Sequence, residues 1–248
     1  MKITIKTKDL LAAIQNVVGV VEKKQTMPIL GHILFDLANE RLTLTATDLE
    51  VQIKSYAKPI DSEKDNASFT ISGRKVYDIL RTLDEEIVTL FLAEDKLTIK
   101  TNKSTYKLAT LSTQDFPLFD DKKAVESFTI NQAELIKLFH KTQFAMAQQD
   151  VRFYLNGLLL ELSPNTVVSV GTDGHRLAKS KVSIDRSKIN DSSYILPRKA
   201  VQEIQRIISD SGELKIAFSD NRAVFDIGAT TLVTKLIDGS FPDYTRVI

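Results

Sequence analysis

The chain repeats itself at a spacing of 125 residues. Short matched segments recur in the same order in both halves, as a duplicated domain requires. They are Thr4-Ile5 with Thr129-Ile130, Asp9-Leu10-Leu11 with Glu134-Leu135-Ile136, Ile33-Leu34-Phe35-Asp36-Leu37 with Leu158-Leu159-Leu160-Glu161-Leu162, and Phe116-Pro117 with Phe241-Pro242. One further match, Arg74-Lys75 with Arg198-Lys199, has a spacing of 124. We therefore expect two copies of one domain, at 1–125 and 126–248, with a charged linker at 120–123.

Each copy carries two apolar patterns of helical period and several of period two. The helical positions are Leu10, Leu11, Ile14, Val17, Val18 and Val21; Val76, Ile79, Leu80 and Leu83; Leu135, Leu138 and Phe139; Val201, Ile204 and Ile208. Between them, alternation such as that of Leu42, Leu44 and Ala46 predicts strands. The links between strands are too short for parallel crossovers, which favours antiparallel sheets. The fold class is therefore α+β, with two helices packed on antiparallel sheets in each copy.

Polar pairs mark the turns between the predicted strands. Asn39-Glu40, Glu94-Asp95 and Asp220-Asn221 predict hairpins, and so does Asp173-Gly174, because glycine accepts the positive φ of a tight turn. The last turn also carries His175 and Arg176. These residues suit either a catalytic site or a docking surface. Thr47-Asp48-Leu49-Glu50 occupies the matching place in the first copy.

Composition excludes several classes of function. The sequence has no cysteine, so disulfides and thiolate metal sites are ruled out. Alternation begins directly after Met1-Lys2, and no apolar run is long enough to span a bilayer, so we expect a cytoplasmic protein with no membrane partner. The net charge is +1, from 33 basic and 32 acidic residues. A nucleic-acid role therefore requires basic residues gathered on one surface.

Several of these segments together resemble the bacterial sliding clamp, the β subunit of DNA polymerase III. The segments are Met27-Pro28-Ile29-Leu30-Gly31, the stretch 42–50, the run 148–157, Thr172-Asp173-Gly174-His175-Arg176-Leu177 and Phe241-Pro242-Asp243-Tyr244. The resemblance covers the whole chain. It implies two tandem clamp domains forming an arc of a ring. The family has three such domains and closes as a head-to-tail dimer around duplex DNA, so the third is missing here. Since the chain stops at a strand-like Arg246-Val247-Ile248, we expect a truncated form, monomeric as this fragment and homodimeric at full length.

The resemblance implies DNA-contacting residues in both copies. They are Lys24, Arg74, Gln149, Phe153 and Tyr154. The family also carries arginine at the first position and often tyrosine at Phe153, so this chain cannot offer a forked donor at the one or a hydroxyl group at the other. Other cations lie on or beside the predicted helices. For Lys8, Lys137 and Arg206, a solvated helix face and a DNA contact remain equally open.

The resemblance also implies a pocket for short peptide tails. Its expected partners are the DNA polymerase III catalytic subunit, the clamp loader and other proteins with a clamp-binding motif. The matching residues combine apolar walls with a few oriented polar groups, as ligand pockets do. They are Leu155, Thr172, Gly174, His175, Arg176, Leu177, Pro242, Arg246 and Val247. The residues alone favour a core role for Leu155, Leu177 and Val247, with His175 as a hydrogen-bonded residue of a surface turn. The match of the whole run favours the pocket.

A third implied surface is the joint of the ring, at Lys75, Tyr106 and Leu108. An edge strand left bare invites aggregation, so pairing with a partner subunit there is physically sensible.

Two other classes of function compete with the clamp. One is a hydrolase or transferase centred on Asp173 and His175, and the other is a scaffold that binds only proteins. The sequence has no zinc-protease, Walker or nucleophile-elbow motif. Asp48 also recurs without a neighbouring histidine. We therefore expect a non-catalytic protein without cofactor or metal.

Overall fold

The structure, a computed structural model, describes residues 1–22, 27–120, 123–184 and 191–248. It divides into two compact units. The first comprises Met1–Asp120 with Ala229–Thr231, and the second comprises Asp121–Gly228 with Leu232–Ile248. The predicted DNA contact Lys24 and part of the predicted linker lie outside the described residues. The predicted domain boundary falls a few residues after the end of the first unit's main segment.

The first copy runs strand, helix, strands, helix, strands, as predicted. Its elements are β1 (Lys2–Lys6), α1 (Thr7–Val17), β2 (His32–Ala38), β3 (Arg41–Thr47), β4 (Val51–Ala57), β5 (Asp61–Ser62), β6 (Asn66–Ser72), α2 (Gly73–Leu80), β7 (Ile87–Ala93), β8 (Lys96–Lys100) and β9 (Thr105–Ala109).

Among the described residues, the second copy follows the same order. Its elements are β10 (Glu126–Asn131), α3 (Gln132–Thr142), β11 (Gly157–Ser163), β12 (Thr166–Thr172), β13 (Leu177–Ser183), β14 (Ser192–Pro197), α4 (Arg198–Ile207), β15 (Glu213–Ser219), β16 (Arg222–Ile227) and β17 (Thr230–Lys235). The predicted α+β class is confirmed.

Antiparallel pairing connects the strands of each unit. In the first unit the orders are β5-β1-β7-β8-β9 and β4-β3-β2-β6. In the second they are β10-β15-β16-β17 and β13-β12-β11-β14. The hairpins predicted at Asn39-Glu40, Glu94-Asp95 and Asp220-Asn221 are present, closing the pairs Ala38–Arg41, Ala93–Lys96 and Ser219–Arg222. Positive φ angles at Asn39 and Glu40 (50° and 58°) match the turn type that follows strand twist.

The helices form where apolar residues recur every three or four positions. In α1 the buried positions include Leu10, Ile14 and Val17, and Asp9 in the first turn complements the helix dipole. The helix ends earlier than the pattern predicts, because Val18 already belongs to a 3-10 turn. Within each unit the two helices contact each other and pack on one sheet, α1 on β3 and β4 with α2 on β2 and β6. They therefore cover one face of that sheet.

The second unit repeats this packing, with α3 on β12 and β13 and α4 on β11 and β14. Asn131 caps α3 by accepting a hydrogen bond from the backbone N–H of Ala133 at 2.9 Å. Within the described part of the chain, every helix is too short or too polar to span a membrane.

Gly171 on β12 lies where the end of α3 comes closest to the sheet. A Cβ there would stand 2.5 Å from the carbonyl oxygen of Thr142 and 3.3 Å from the backbone nitrogen of Met146. We expect Gly171→Ala to destabilise the second unit by about 1–3 kcal/mol, because backbone must shift to admit the methyl group. Urea unfolding of the full chain measures the change, with the exposed Gln202→Ala as control. A loss equal to that of the control would contradict the close approach.

Candidate functional site

The β12–β13 turn is a four-residue loop held by its own polar side chains. Thr172 Oγ1 accepts from the N–H of Gly174 at 3.1 Å and donates to the carbonyl oxygen of Arg176 at 2.7 Å. Asp173 Oδ1 accepts from the N–H groups of His175 and Arg176 at 2.9 and 3.0 Å. Gly174 has φ +88°, the left-handed region that glycine tolerates best. The predicted hairpin is thus confirmed, with a longer loop than a two-residue turn.

Aspartates hold two arginines at this turn. Arg176 Nε lies 2.9 Å from Asp173 Oδ2. Arg152 grips Asp150 through Nε and Nη2 at 3.0 and 2.9 Å, and its Nη2 also donates to the carbonyl oxygen of Asp173 at 3.3 Å. These ion pairs are exposed, so they contribute little to stability. Their effect is to orient cations beside the turn.

The pairs also shift the acidity of the carboxylates. The Arg152 guanidinium, with its backbone N–H, lowers the pKa of Asp150 to about 2. Backbone N–H groups, chiefly that of His175, lower the pKa of Asp173. Hydrogen bonds from Thr245, helped by Arg246, lower the pKa of Asp243. All three groups therefore stay ionised in mildly acidic solution.

An apolar cluster lies behind the turn, and we call it the second-unit cluster. Its buried members are Leu159, Val170, Ile195 and Tyr244, and its half-buried members are Tyr154, Val168, Leu177, Ile237 and Phe241. Gly157 lets strands approach beneath it, since a Cβ there would stand 2.5 Å from Ile195 Cγ2 and 2.8 Å from Ile237 Cδ1. The cluster offers partly exposed apolar surface on a rigid sheet, the kind of surface that takes an apolar anchor.

Tyr244 packs the C-terminal segment, the chain after β17, against this cluster. Tyr244 is 7% exposed, and its hydroxyl donates to Glu161 Oε2 at 2.5 Å. The ammonium of Lys179 lies 4.8 Å from the ring centroid. Burial, reinforced by the Glu161 carboxylate, raises the pKa of Tyr244 well above its ordinary value. The next turn is closed by Asp243, which pairs with Arg246 Nε at 3.0 Å.

A cleft of about 840 Å³ runs along the same segment of the second unit. Its apolar wall is part of the cluster, including Ile195, Ile237 and Phe241, and its rim carries several carboxylates. The rim carboxylates are those of Glu161, Asp220, Asp238 and Asp243. Of the nine predicted pocket residues only Pro242 lines this cleft, so it extends from the predicted pocket rather than coinciding with it.

The nine predicted pocket residues fall into three groups. Leu177 belongs to the second-unit cluster, and Gly174, His175 and Arg176 are exposed on the adjoining turn with Thr172 at its base. Pro242, Arg246 and Val247 are exposed on the C-terminal segment, which the cluster joins to the turn through Tyr244. Leu155 is only 1% exposed and lies in the core. Its carbonyl oxygen accepts from the N–H of Ala147 at 2.9 Å.

Sequence reasoning missed several members of this surface. Ile237, Phe241 and Tyr244 were not predicted as pocket residues, although the match of Phe241 with Phe116 marks a shared apolar position. Arg152 was not predicted either. Its contact with Asp173 joins segments that are 21 positions apart, and no local pattern reveals such a pair.

The predicted DNA contacts of the second unit lie on one loop. Gln149 is exposed with φ +57°, and Phe153 is 57% exposed. Tyr154 instead turns its half-buried ring into the second-unit cluster, with Phe153 edge-on to it at 6.0 Å. One loop thus serves two surfaces, an exposed tip and the wall of the cluster.

Arg74 and Arg198 occupy equivalent places in the two units. Arg198 Nη2 donates to the carbonyl oxygens of Met146 and Ala147 at 2.7 and 2.9 Å. Arg74 Nη2 donates to the carbonyl oxygen of Val21 at 3.4 Å, and Val21 matches Met146 at the repeat spacing. Each arginine ties the chain beyond the first helix to the start of the second. The 124-residue match in the sequence therefore marks a structural contact.

The predicted joint residues lie on the first unit. Tyr106 and Leu108 are half-buried on β9, which ends the order β5-β1-β7-β8-β9. Lys75 is exposed on α2. Beside it His32 has a pKa lowered by burial and by the Lys75 charge.

The geometry gives no support to a catalytic pairing of Asp173 with His175. Both carboxylate oxygens of Asp173 are engaged, one by backbone N–H groups and the other by Arg176. The turn places no hydrogen bond between this carboxylate and the exposed ring of His175 among the contacts described. Among the described residues, no three acidic, histidine or cysteine side chains gather as metal ligands.

The chain matches two adjoining models of one family. Residues 1–120 match the N-terminal domain of the DNA polymerase III beta subunit, and residues 129–243 match its central domain. The chain therefore belongs to the family of DNA polymerase III beta subunits, the beta sliding clamps. Members of this family are non-catalytic subunits.

Named relatives and solved structures agree. The beta sliding clamps of Pseudomonas putida KT2440 and Escherichia coli K12 are each 38% identical to the chain. The match covers 100% of this chain and 68% of each relative. The sliding clamp of Pseudomonas aeruginosa, solved bound to griselimycin, has a TM-score of 0.95 at 38% identity, over 100% of this chain and 68% of its own. The Caulobacter crescentus clamp has a TM-score of 0.93 at 34% identity, with the same coverage.

The acidity of Asp150 tests the arginine contacts. We expect Arg152→Ala to raise the Asp150 pKa from about 2 towards its ordinary 3.8, because the guanidinium is the largest cause of the shift. Carboxyl-carbon NMR titration measures it, with the distant exposed Arg81→Ala as control. Because folding lowers this pKa, its contribution to stability is present above pH 3.8 and is lost as pH falls towards 2. An unchanged pKa in Arg152→Ala would assign the shift to the backbone N–H instead.

Proposed function

We propose that this chain supplies two domains, 1–125 and 126–248, of a ring that encircles duplex DNA. The ring tethers the DNA polymerase III catalytic subunit and other proteins to their template. The observation that carries the proposal is the repeated domain whose second copy keeps an open apolar cluster beside an arginine-bearing turn. Membership of the sliding clamp family supports it.

The grip on DNA is topological and independent of sequence. Such a ring needs cations that meet phosphates weakly, since strong or base-specific contacts would stop sliding. The helices carry exposed lysines that suit this role, namely Lys8, Lys75, Lys137 and Lys141. Lys24, Arg74, Gln149, Phe153 and Tyr154 are the contacts that we assign to DNA. Arg206 is a weaker candidate, because Glu203 already pairs with it at 2.7 Å.

Partner peptides dock on the second unit. Leu177 and Pro242 offer apolar contacts for a leucine or aromatic anchor, and His175, Arg176 and Arg246 orient the polar parts of the peptide. Thr172 and Gly174 shape the turn that presents them. Val247 extends the apolar edge. Leu155 contributes indirectly, because it is buried and supports the loop that carries Tyr154.

The ring closes through the edge of the first unit. Tyr106 and Leu108 present a half-buried apolar strip on β9, an edge strand of the described sheet, and Lys75 is exposed on α2. In the ring, this edge would meet a third clamp domain of a second subunit.

Peptide binding directly tests the predicted pocket, which we call the peptide groove. The probe is a synthetic peptide from the C-terminal tail of a DNA polymerase III catalytic subunit, titrated calorimetrically. We expect Leu177→Ala, His175→Ala and Arg246→Ala each to weaken binding by about tenfold, since a central interface residue is worth more than about 1 kcal/mol. Exposed Gln202→Ala on α4 should bind like the unaltered chain. Unchanged affinity in all three groove variants would refute the assignment of the groove.

Salt dependence tests the DNA contact and separates a clamp from a protein-only scaffold. We expect weak duplex binding that falls with salt. Lys24→Ala should reduce the slope of log K against log salt by about 0.9, because the variant neutralises one phosphate fewer. Fluorescence anisotropy with two unrelated duplex sequences measures it. Lys64→Ala, an exposed lysine between β5 and β6, is the matched control. Absence of salt-dependent binding would favour the scaffold.

A further inference from the structure

The first unit contains a counterpart of the second-unit cluster. Its buried members are Ile29, Leu30, Leu34 and Phe116, and we call them the first-unit cluster. Leu34 and Phe116 match Leu159 and Phe241 at the repeat spacing. The two clusters therefore sit at the same place in the repeated fold.

The two clusters differ in how far they are covered. All four members of the first-unit cluster are 6% exposed, and among the described residues Leu49 is the one half-buried apolar side chain that packs on them. Around the second-unit cluster, five half-buried apolar side chains leave a partly open surface. The same backbone thus carries one closed cluster and one open cluster.

The difference lies in the turn between β3 and β4. Leu49 N–H donates to Thr47 Oγ1 at 3.1 Å, and Asp48 Oδ1 accepts from Glu50 and Val51 at 2.9 and 2.7 Å. Thr47 Oγ1 donates to the Val51 carbonyl oxygen at 2.9 Å. Every one of these bonds recurs 125 residues later in the turn of Thr172 to Arg176. Position by position, Leu49 stands where the second unit has Gly174.

Leucine is a costly choice at that position. Its φ is +78°, close to the +88° of Gly174, in a region that a branched side chain rarely adopts. The conformation persists because the Leu49 side chain packs on the first-unit cluster. At Gly174 a Cβ would lie 3.2 Å from the Arg152 guanidinium, so a side chain there would displace that arginine.

A second contact closes the first unit. Gln52 is 1% exposed and its Oε1 accepts from the N–H of Phe119 at 2.9 Å. Gln52 pairs with Thr47 across the strands as Leu177 pairs with Thr172, so the two are counterparts. Where the second unit offers an apolar side chain, the first uses an amide to hold down the segment after Phe116.

We propose that Leu49 occupies, within this chain, a second copy of the peptide groove, and that Leu49 and Gly174 decide which unit binds. Both units have the backbone of a peptide groove, but only the groove of the second unit is open. Leu49 fills the groove of the first unit. The inference rests on the proposed function for the nature of the ligand, which is a peptide with a leucine or aromatic anchor.

Removal of the leucine tests the inference. The full chain carrying Leu49→Gly, alone and with Gln52→Leu, is titrated calorimetrically with the polymerase tail peptide. We expect two peptides bound per chain instead of one. Leu49→Met, which keeps the cluster filled, should bind one. One peptide per chain in both glycine variants, with circular dichroism unchanged, would overturn the inference.

A measurement without peptide separates this inference from the proposed function. Methyl NMR with a soluble paramagnetic agent reports the exposure of Leu34, with Leu159 as internal reference. We expect Leu49→Gly to increase the relaxation of the Leu34 methyls at least twofold and Leu49→Met to leave it unchanged. No increase in the glycine variant would overturn the inference. Absence of peptide binding by the unaltered chain would instead overturn the proposed function.

Discussion

Burial of two amphipathic helices against one antiparallel sheet is the interaction on which each unit depends. The helices are short, and helices of this length are marginal in isolation, so packing must supply their stability. Leu10, Ile14 and Val17 in the first unit, like Leu135 and Leu138 in the second, are fully buried on that face. Because the outer faces of the helices are free of this demand, they can carry lysines without cost to the fold.

The same backbone fold tolerates different side chains in the turns, where the residues do not have to pack between helix and sheet. The two turns beyond β3 and β12 share the four hydrogen bonds between the threonine and aspartate side chains and the backbone. Backbone geometry is therefore fixed by Thr47 and Asp48 in one unit and by Thr172 and Asp173 in the other. Once the backbone is fixed in this way, a single position can be leucine or glycine. At this turn the two units therefore differ in their side chains, although their backbones follow the same path.

The sequence alone was sufficient for the class of fold, the order of elements and the hairpins, because these depend on local period and on turn residues such as Asn39-Glu40. It was less reliable at helix ends, where Val18 continues the apolar pattern in a 3-10 turn. It could not assign Tyr154 to the apolar cluster, because a repeat spacing equates backbone positions and carries no information on side-chain direction. Nor could it foresee that Arg152 reaches Asp173, a contact that only the folded chain brings together.

Arg74 has a structural contact in addition to the DNA contact proposed for it. A guanidinium offers five N–H donors, and the bond to the Val21 carbonyl oxygen uses one of them at 3.4 Å. Its counterpart Arg198 is committed more deeply, with three donor contacts to Met146 and Ala147. Both arginines join the same two parts of their units, which explains why the pair recurs. Arg74 is held by one longer bond, and its Nε is buried without a hydrogen-bond partner among the described residues, so the DNA contact proposed above would fall to its terminal guanidinium nitrogens.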